Sequence, residues 1–355
     1  MRIGVLADQD LASQREEFEN GRRADRAYYQ IDALERMGHE VVQLHPLPVP
    51  DALAHKIEHR LGYPVRAALD VQTAWRCDVV IALLETQGWA YGALRKALRL
   101  PPLVTLECWL ADDLRRAAPA ESQRLVRRSG RLGDIISLTE NQRVILHTAG
   151  VSADRTHTIP FAVATEFYTP GLHDEREIGL PGGHDVLFVG QDRGRDFDTF
   201  LAAMSLLDGT ASALVVTKPS LLAGRTIPPN VVLHGTADHI EYRDLLRRAP
   251  VVAVPTYELA YPTGQSVAME AASTGAPVVV TSTTAMREYI TPREARMPPV
   301  GDAHAFAAAL RDTLAGRTAA RARAAILQEK VTRRYNGAAM WGAAEPILVA
   351  AAGRR

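Results

Sequence analysis

Tyr261-Pro262-Thr263-Gly264-Gln265-Ser266-Val267-Ala268-Met269-Glu270-Ala271-Ala272-Ser273-Thr274-Gly275-Ala276-Pro277-Val278-Val279-Val280 is the stretch that decides the fold. An apolar run at 251–254 precedes it and ends at Pro255; another, 278–280, closes it. The order is strand, Pro- and Gly-bearing loop, helix, Gly-x-Pro, strand, which is the rhythm of a parallel α/β sheet. Gly275 is a candidate residue just past the helix end, and Pro277 opens the next strand. The run 277–280 is apolar on both alternating faces, as a strand covered by helices on both sides must be.

The start of that helix has chemical consequences. Gly264 permits a positive φ or a close backbone approach. Gln265 or Ser266 then begins the helix, leaving unbonded amides and the positive dipole end, a site suited to phosphate. Ser266 and Glu270 are spaced i, i+4 and share one helix face. A carboxylate one turn below a phosphate site can accept hydrogen bonds from ribose hydroxyls. The plainer reading makes Glu270 a solvated helix residue and Gly264 an ordinary turn.

A second segment points the same way. Residues 186–189 form an apolar run that leads into Gly190-Gln191-Asp192-Arg193-Gly194-Arg195-Asp196. The spacing predicts a helix over 197–207 with Asp196 as its N-cap. Arg193 and Arg195 therefore follow the C-terminal end of a strand, where open parallel sheets bind ligands. Guanidinium groups suit phosphate oxygens and can offset charge on a leaving diphosphate without a metal. Alternatively they pair at the surface with Asp192 and Asp196. Lys218, after the run 214–216, is a third candidate cation.

Outward from these segments the alternation continues. The first half offers runs at 3–6, 41–44, 79–83, 103–106 and 135–138; the second adds 231–233. The stretch from Ile159-Pro160 through Tyr168-Thr169-Pro170-Gly171 to Pro181-Gly182-Gly183 reads as a linker. Two Rossmann-like domains are expected, 1–170 and 171–355, with the ligand in the cleft between them and the last helix a candidate for crossing back to the first domain. The 355 residues suffice for two cores. Equal numbers of basic and acidic residues, 41 each, give no drive toward nucleic acid or anionic membranes. The Ala- and Arg-rich tail, including Arg317 and Arg321, reads as a solvated helix face.

Cys77 and Cys108 read as buried thiols in a reducing compartment. No apolar run reaches membrane-spanning length, and the N-terminus reads as a first strand rather than a signal peptide. The expectation is a cytoplasmic protein with no membrane insertion. The Ala and Arg content suggests a high-GC, bacterial genome. His55-Lys56-Ile57-Glu58-His59 has the spacing of some zinc helices, but five residues match easily by chance, and no metal site is expected. No glycine fingerprint follows the first strand, and no phosphate loop or nucleophile elbow occurs.

Three segments together resemble the retaining glycosyltransferases of family 4. These are Thr158-Ile159-Pro160 with Phe167-Tyr168-Thr169-Pro170; Phe188-Val189-Gly190 with its basic loop; and Gly264-Gln265-Ser266 with Glu270-Ala271 and Gly275-Ala276-Pro277-Val278-Val279. The resemblance implies the GT-B fold and transfer of a hexosyl unit from a nucleotide-sugar donor, with retention, to a small-molecule or glycan hydroxyl. It implies donor ribose on Glu270, diphosphate on Arg193 and Arg195, and donor contacts at Thr263, Gly264, Gln265 and Ser266. The chain departs from the pattern in four places. The first domain lacks the usual Gly-Gly donor loop and has Arg22, Arg23 and Arg26 after Gly21 instead. Pro262 stands where the family often has a first glutamate. Gln191 replaces an arginine after the glycine. Glu107, in Leu106-Glu107-Cys108-Trp109, stands where a histidine is common, and is a candidate catalytic residue facing acceptor or sugar. No cofactor beyond the donor is implied. Two other readings stay open: a GT-B nucleotide-sugar epimerase and a non-catalytic nucleotide-sugar-binding protein.

Overall fold

The computed structural model describes residues 1–45, 70–171 and 179–354. They form two compact units. One comprises Met1–Glu16, Arg26–Pro160 and Gly337–Arg355; the other comprises Glu17–Asp25 and Phe161–Asn336.

The first unit is a six-stranded parallel sheet. Its strands are β1 (Arg2–Leu6), β2 (Glu40–Gln43), β3 (Val79–Ala82), β4 (Leu103–Leu106), β5 (Asp134–Ser137) and β6 (Thr156–Thr158), in the order β2-β1-β3-β4-β5-β6. Its helices are α1 (Leu11–Glu19), whose last turn belongs to the second unit, α2 (Ala33–Arg36), α3 (Val71–Trp75), α4 (Glu85–Leu98), α5 (Leu110–Arg116), α6 (Pro119–Ser129) and α7 (Glu140–Ala149). Every residue of β3, β4 and β5 is buried, so both faces of the sheet are covered. This is why those strands read as continuous apolar runs rather than alternating ones. β6, Thr-His-Thr at the sheet edge, carries no apolar signal and went unread in the sequence.

The second unit has five parallel strands: β7 (Val186–Val189), β8 (Ala213–Val216), β9 (Val231–Gly235), β10 (Val251–Val254) and β11 (Val278–Val280). Between them run α8 (Phe197–Ser205), α9 (His239–Arg248) and α10 (Gln265–Ser273); α11 (Ala303–Ala315) and α12 (Arg317–Arg334) follow. Phe188 packs on Phe200 with ring centroids 4.7 Å apart and on Phe197 at 5.0 Å, with Phe306 of α11 in the same core. Each such buried ring contributes about 1.5–3 kcal/mol of transfer free energy.

The order β11-β10-β7-β8-β9 places the first strand, β7, between β8 and β10. Connections leave β7 and β10 toward opposite sides of the sheet, so their C-terminal ends flank a crevice, the usual ligand position in such a sheet.

The final helix, α13 (Gly337–Ala352), belongs to the first unit. Trp341 is fully buried and its indole N–H donates to Tyr29 O at 2.7 Å, while Glu345 meets His39 Nε2 at 2.8 Å. The sequence reading drew its boundary at 170/171; the units divide at 160/161 and again at 336/337. Proline and glycine density marks where a chain turns, and the last helix changes unit at Asn336-Gly337, where no proline stands. Cys77 and Cys108 are both buried and unbonded to each other.

Candidate active site

At the C-terminal ends of β7 and β10 two loops are zipped together. Arg195 forms an antiparallel bridge with Thr256, the Asp196 amide donates to Pro255 O at 3.1 Å, and the Tyr257 amide donates to Gly194 O at 3.0 Å. The pairing follows from sheet order, since β7 and β10 are neighbours although more than fifty residues separate them in sequence. Asp192 organises the first loop. Its Oδ1 accepts from the Gly194 amide at 2.8 Å and from the Thr263 hydroxyl at 2.7 Å, and its Oδ2 lies 3.3 Å from Arg195 Nη2. Asp196 is the N-cap of α8, accepting from the Thr199 amide at 2.9 Å.

Gly264 ends the second loop at φ +80, the left-handed region where a side chain is strained. A methyl group there would overlap Arg195 Nη1 and stand 2.7 Å from Val254 Cγ1. A methyl at Gly190 would meet Arg195 Nε and approach Arg195 Cδ and Cγ to 2.6 Å. The two glycines thus make the slot that Arg195 fills. Arg195 is only 4% exposed, and its Nε and Nη1 are buried without a protein hydrogen-bond partner, as are Gln265 Oε1 and Thr256 Oγ1. Buried donors without partners are costly in a finished core and concentrate where a ligand completes them. α10 starts in the same place. Gly264 offers no side-chain cap and the Gln265 amide is taken by Pro262 O at 3.1 Å, so the next amides, from Ser266 and Val267, have no partner one turn back within the helix. An arginine with open donors beside an uncapped helix start is chemically an oxyanion site.

One turn along α10, Glu270 accepts the Tyr242 hydroxyl at 2.7 Å. Tyr242 is steadied edge-on by Tyr168, with centroids 5.8 Å apart. Burial pushes the Glu270 carboxyl up to about 7; the Tyr242 hydrogen bond and Arg195 oppose the shift, while Asp25, in the Glu17–Asp25 segment of this unit, adds to it. Glu270 therefore stands at the edge of ionisation near neutral pH, at a half-buried position.

Residues 183–316 match the family model described as Glycosyl transferases group 1. No curated protein matches the sequence. Among solved structures, HepE of Anabaena with UDP and glucose is 15% identical over 99% of this chain and 100% of that one, with a TM-score of 0.71. Sucrose-phosphate synthase of Thermosynechococcus elongatus is 18% identical over 99% and 100%, with a TM-score of 0.74. The lipopolysaccharide outer core galactosyltransferase WaaB is 12% identical over 99% of each chain, at 0.58.

The protein is a glycosyltransferase of GT-B fold.

Of the residues expected to serve this transferase, the fold brings Arg195, Thr263, Gly264, Gln265, Ser266 and Glu270 together around the start of α10. Thr263 and Gln265 are each 2% exposed, so Thr263 acts through Asp192 and the loop shape rather than as an open ligand contact. Arg193 lies on the same loop but is exposed, and Lys218 is exposed at the end of β8. Glu258, the acid nearest the missing first glutamate, is engaged elsewhere, with both carboxylate oxygens 3.1 Å from the Thr284 amide. The sequence reading named Asp192 only as a surface partner of the arginines, a pairing that Arg195 does make, and missed its part in the loop; it missed Tyr242 altogether. Asp192-x-Gly194 carried a local signal, an aspartate two residues before a glycine, as in a side-chain turn. Tyr242 carried none, because α9 meets α10 only in the folded unit.

Glu107 differs from its expected role. It lies in the first unit with 0% exposure, beneath the start of α5, where it accepts from the Ser137 hydroxyl at 3.0 Å and approaches the Ala111 amide at 3.5 Å. Neighbouring Glu85 is also buried and accepts from the Cys108 and Trp109 amides at 3.1 and 2.7 Å. A side chain with no exposed surface cannot face an acceptor, and Glu107 acts as a buried polar brace of the β4–α5 turn. The apolar strand before it and the charged helix after it gave the sequence no means of seeing that its carboxyl turns inward. Burial and the adjacent Glu85 push it up to about 8.

Glu107 ionises near 4.5 when unfolded and near 8 when folded, so the folded state holds the extra proton between those values. Stability from this group is full below about 4.5 and falls as pH rises toward about 8. Glu107→Gln is expected to remove that loss, raising the melting temperature at pH 8 by at least roughly 4 °C, with the full linkage of about 4 kcal/mol as the upper limit, and with much less change near pH 5. Melting curves of both proteins from pH 5 to 8.5 test it; parallel curves would show that Glu107 does not carry the proton.

Among the described residues no group of three His, Cys, Asp or Glu side chains is arranged to hold a metal ion, and no helix is long and apolar enough to cross a membrane. The His55–His59 motif lies outside the described residues.

Proposed function

We propose that this glycosyltransferase takes a hexosyl unit from a nucleoside-diphosphate sugar and transfers it, with retention, to a hydroxyl of a small-molecule or glycan acceptor. The observation that carries the reading is the pair of open, buried donors on Arg195 facing the uncapped start of α10. A diphosphate supplies the acceptor oxygens these groups lack. Glu270, one helical turn on, receives the ribose hydroxyls; Arg193 and Lys218, exposed on adjacent loops, add positive charge as the leaving diphosphate forms. Preorganised donors at the site of developing charge are the largest single contribution in such reactions. The charge is met by protein cations and amides, and the proposal includes no metal; activity unchanged by a chelator is part of it. HepE, similar in fold, has been solved with UDP and with UDP-glucose, which favours a uridine donor over other bases. The first unit is assigned to acceptor recognition, and the protein to the cytoplasm.

Donor consumption over a panel of nucleotide sugars, with and without an acceptor panel, tests the reading. Product carrying the donor sugar, formed only with acceptor and with its anomeric configuration kept, is the expected result. Donor loss without acceptor would indicate epimerisation or hydrolysis, and binding without turnover a non-catalytic protein.

The ribose role of Glu270 gives a pH signature. Accepting two hydroxyl hydrogens requires the carboxylate, which in the free protein forms only above about 7. UDP affinity is therefore expected to rise about tenfold from pH 6 to pH 8, and to lose that rise in Glu270→Gln. Calorimetric titration at both pH values measures it; the same slope in both proteins would remove Glu270 from the site.

A further inference from the structure

The second unit has a hollow at the other edge of its sheet, and nothing in the transfer reaction uses it. Pro250 and Pro277, immediately before β10 and β11, form part of its lining, so it lies at strand starts, whereas Gly190 and the Gly264 loop follow strand ends. The hollow measures about 120 Å³. Leu314 and the two prolines give it an apolar floor, and three arginines line it: Arg247, Arg317 and Arg321.

The three differ in how they are held. Arg247 is built into the unit. Its Nε donates to Thr169 O at 2.7 Å, its Nη2 to the Thr169 hydroxyl at 2.9 Å, and its Nη1 lies 3.4 Å from Asp244. Arg317 and Arg321 stand i, i+4 on α12, exposed, and among the described residues neither pairs with a carboxylate or donates to an acceptor. Like charges at that spacing oppose helix formation. α12 begins at Arg317, and Gly316 before it gives no side-chain cap. The lining also includes the C-terminal turns of α9, α10 and α11, beside which arginines are favourably placed, and of the three guanidinium groups Arg247 is paired with Asp244 while Arg317 and Arg321 keep their charge open to a ligand.

We infer that this hollow binds a small phosphorylated molecule, with its phosphate oxygens between Arg317 and Arg321. Guanidinium forks match phosphate oxygens in bidentate pairs, and Arg247 adds charge from its fixed position. The enclosed part of the hollow takes a phosphate with a few carbon atoms, and the hollow is open to solvent beyond it. The site lies at strand starts, whereas the donor site follows strand ends, so the inference stands or falls without the donor proposal.

The test is calorimetric titration of the full chain with inorganic phosphate and with glycerol phosphate, at ionic strength held constant with chloride. Wild type is compared with the double variant Arg317→Gln, Arg321→Gln. Saturable binding to wild type is expected, at least about tenfold weaker in the double variant. Both heads are solvated, so the unliganded melting temperature of the variant should stay within about 1–2 °C of wild type. Hydrogen exchange on the wild type gives a readout independent of the variants, with phosphate expected to protect residues 274–277 and 313–321. Binding that survives in the double variant, protection confined to 190–196 and 264–267, or no saturable binding of either anion would overturn the inference.

Discussion

Arg195→Ala is expected to lower kcat for sugar transfer by about 10²–10³-fold while the protein stays folded, as loss of one charge-stabilising donor does elsewhere. The fold should survive because Asp192, its ion-pair partner, keeps the Gly194 amide and the Thr263 hydroxyl. Those bonds hold the two loops together without the guanidinium. The loss should fall on kcat more than on KM, because negative charge grows on the diphosphate as the bond to the sugar breaks, and binding strengthens only then. Arg195→Lys should recover little. The side chain lies between Gly190 and Gly264 with Nε and Nη1 both buried, and a single ammonium cannot place charge at both positions. Steady-state kinetics with circular dichroism as the folding control measures this. A variant with kcat within threefold of wild type would remove Arg195 from the reaction.

Gly264→Ala is the second large effect, and it acts on stability and activity together. The left-handed φ of +80 costs any other residue about 1–3 kcal/mol. The added methyl has no room, with Val254 Cγ1 at 2.7 Å and Thr256 Cγ2 at 3.0 Å, and Arg195 Nη1 in the way; overpacking of this kind costs about 1–3 kcal/mol more. Backbone atoms fix Val254 and Thr256 in and beside β10, so Arg195 is what must move. The expected outcome is a destabilisation of about 2–6 kcal/mol, the sum of those ranges, and activity at or below that of Arg195→Ala. Denaturant unfolding and turnover at 20 °C read both. A variant as stable and as active as wild type would show that the loop can re-form with another φ and that its present shape is not needed.

The fold was legible because parallel strands buried on both faces leave long apolar runs. Residues 186–189, 251–254 and 278–280 begin and end in the structure where the pattern puts them. The start of α10 was legible for a different reason. Positive φ at Gly264 and the Ser266–Glu270 spacing are local, and local facts survive in sequence. What stayed hidden depends on tertiary placement. Arg193 and Arg195 look equivalent in sequence, yet one is exposed and the other fills a slot made by two glycines seventy-four residues apart. Glu107 looked like a residue facing a ligand because it follows a strand, but its side chain is drawn inward by the Ser137 hydroxyl on the neighbouring strand. Tyr242 reaches Glu270 across twenty-eight residues. Arg317 and Arg321 read as a solvated face, and only the packing of α12 beside Pro250 and Pro277 reveals the hollow beneath them.

The central claim is that the start of α10, Arg195 and Glu270 hold a nucleoside diphosphate. The most direct measurement is the melting temperature of wild type and Glu270→Ala with UDP, GDP, dTDP and ADP. A ligand at 100 times its Kd stabilises the folded state by about 2.7 kcal/mol. One nucleotide, UDP, is expected to raise the wild-type transition by several degrees, and Glu270→Ala to lose most of that rise. No shift with any nucleotide, or an equal shift in both proteins, would contradict it.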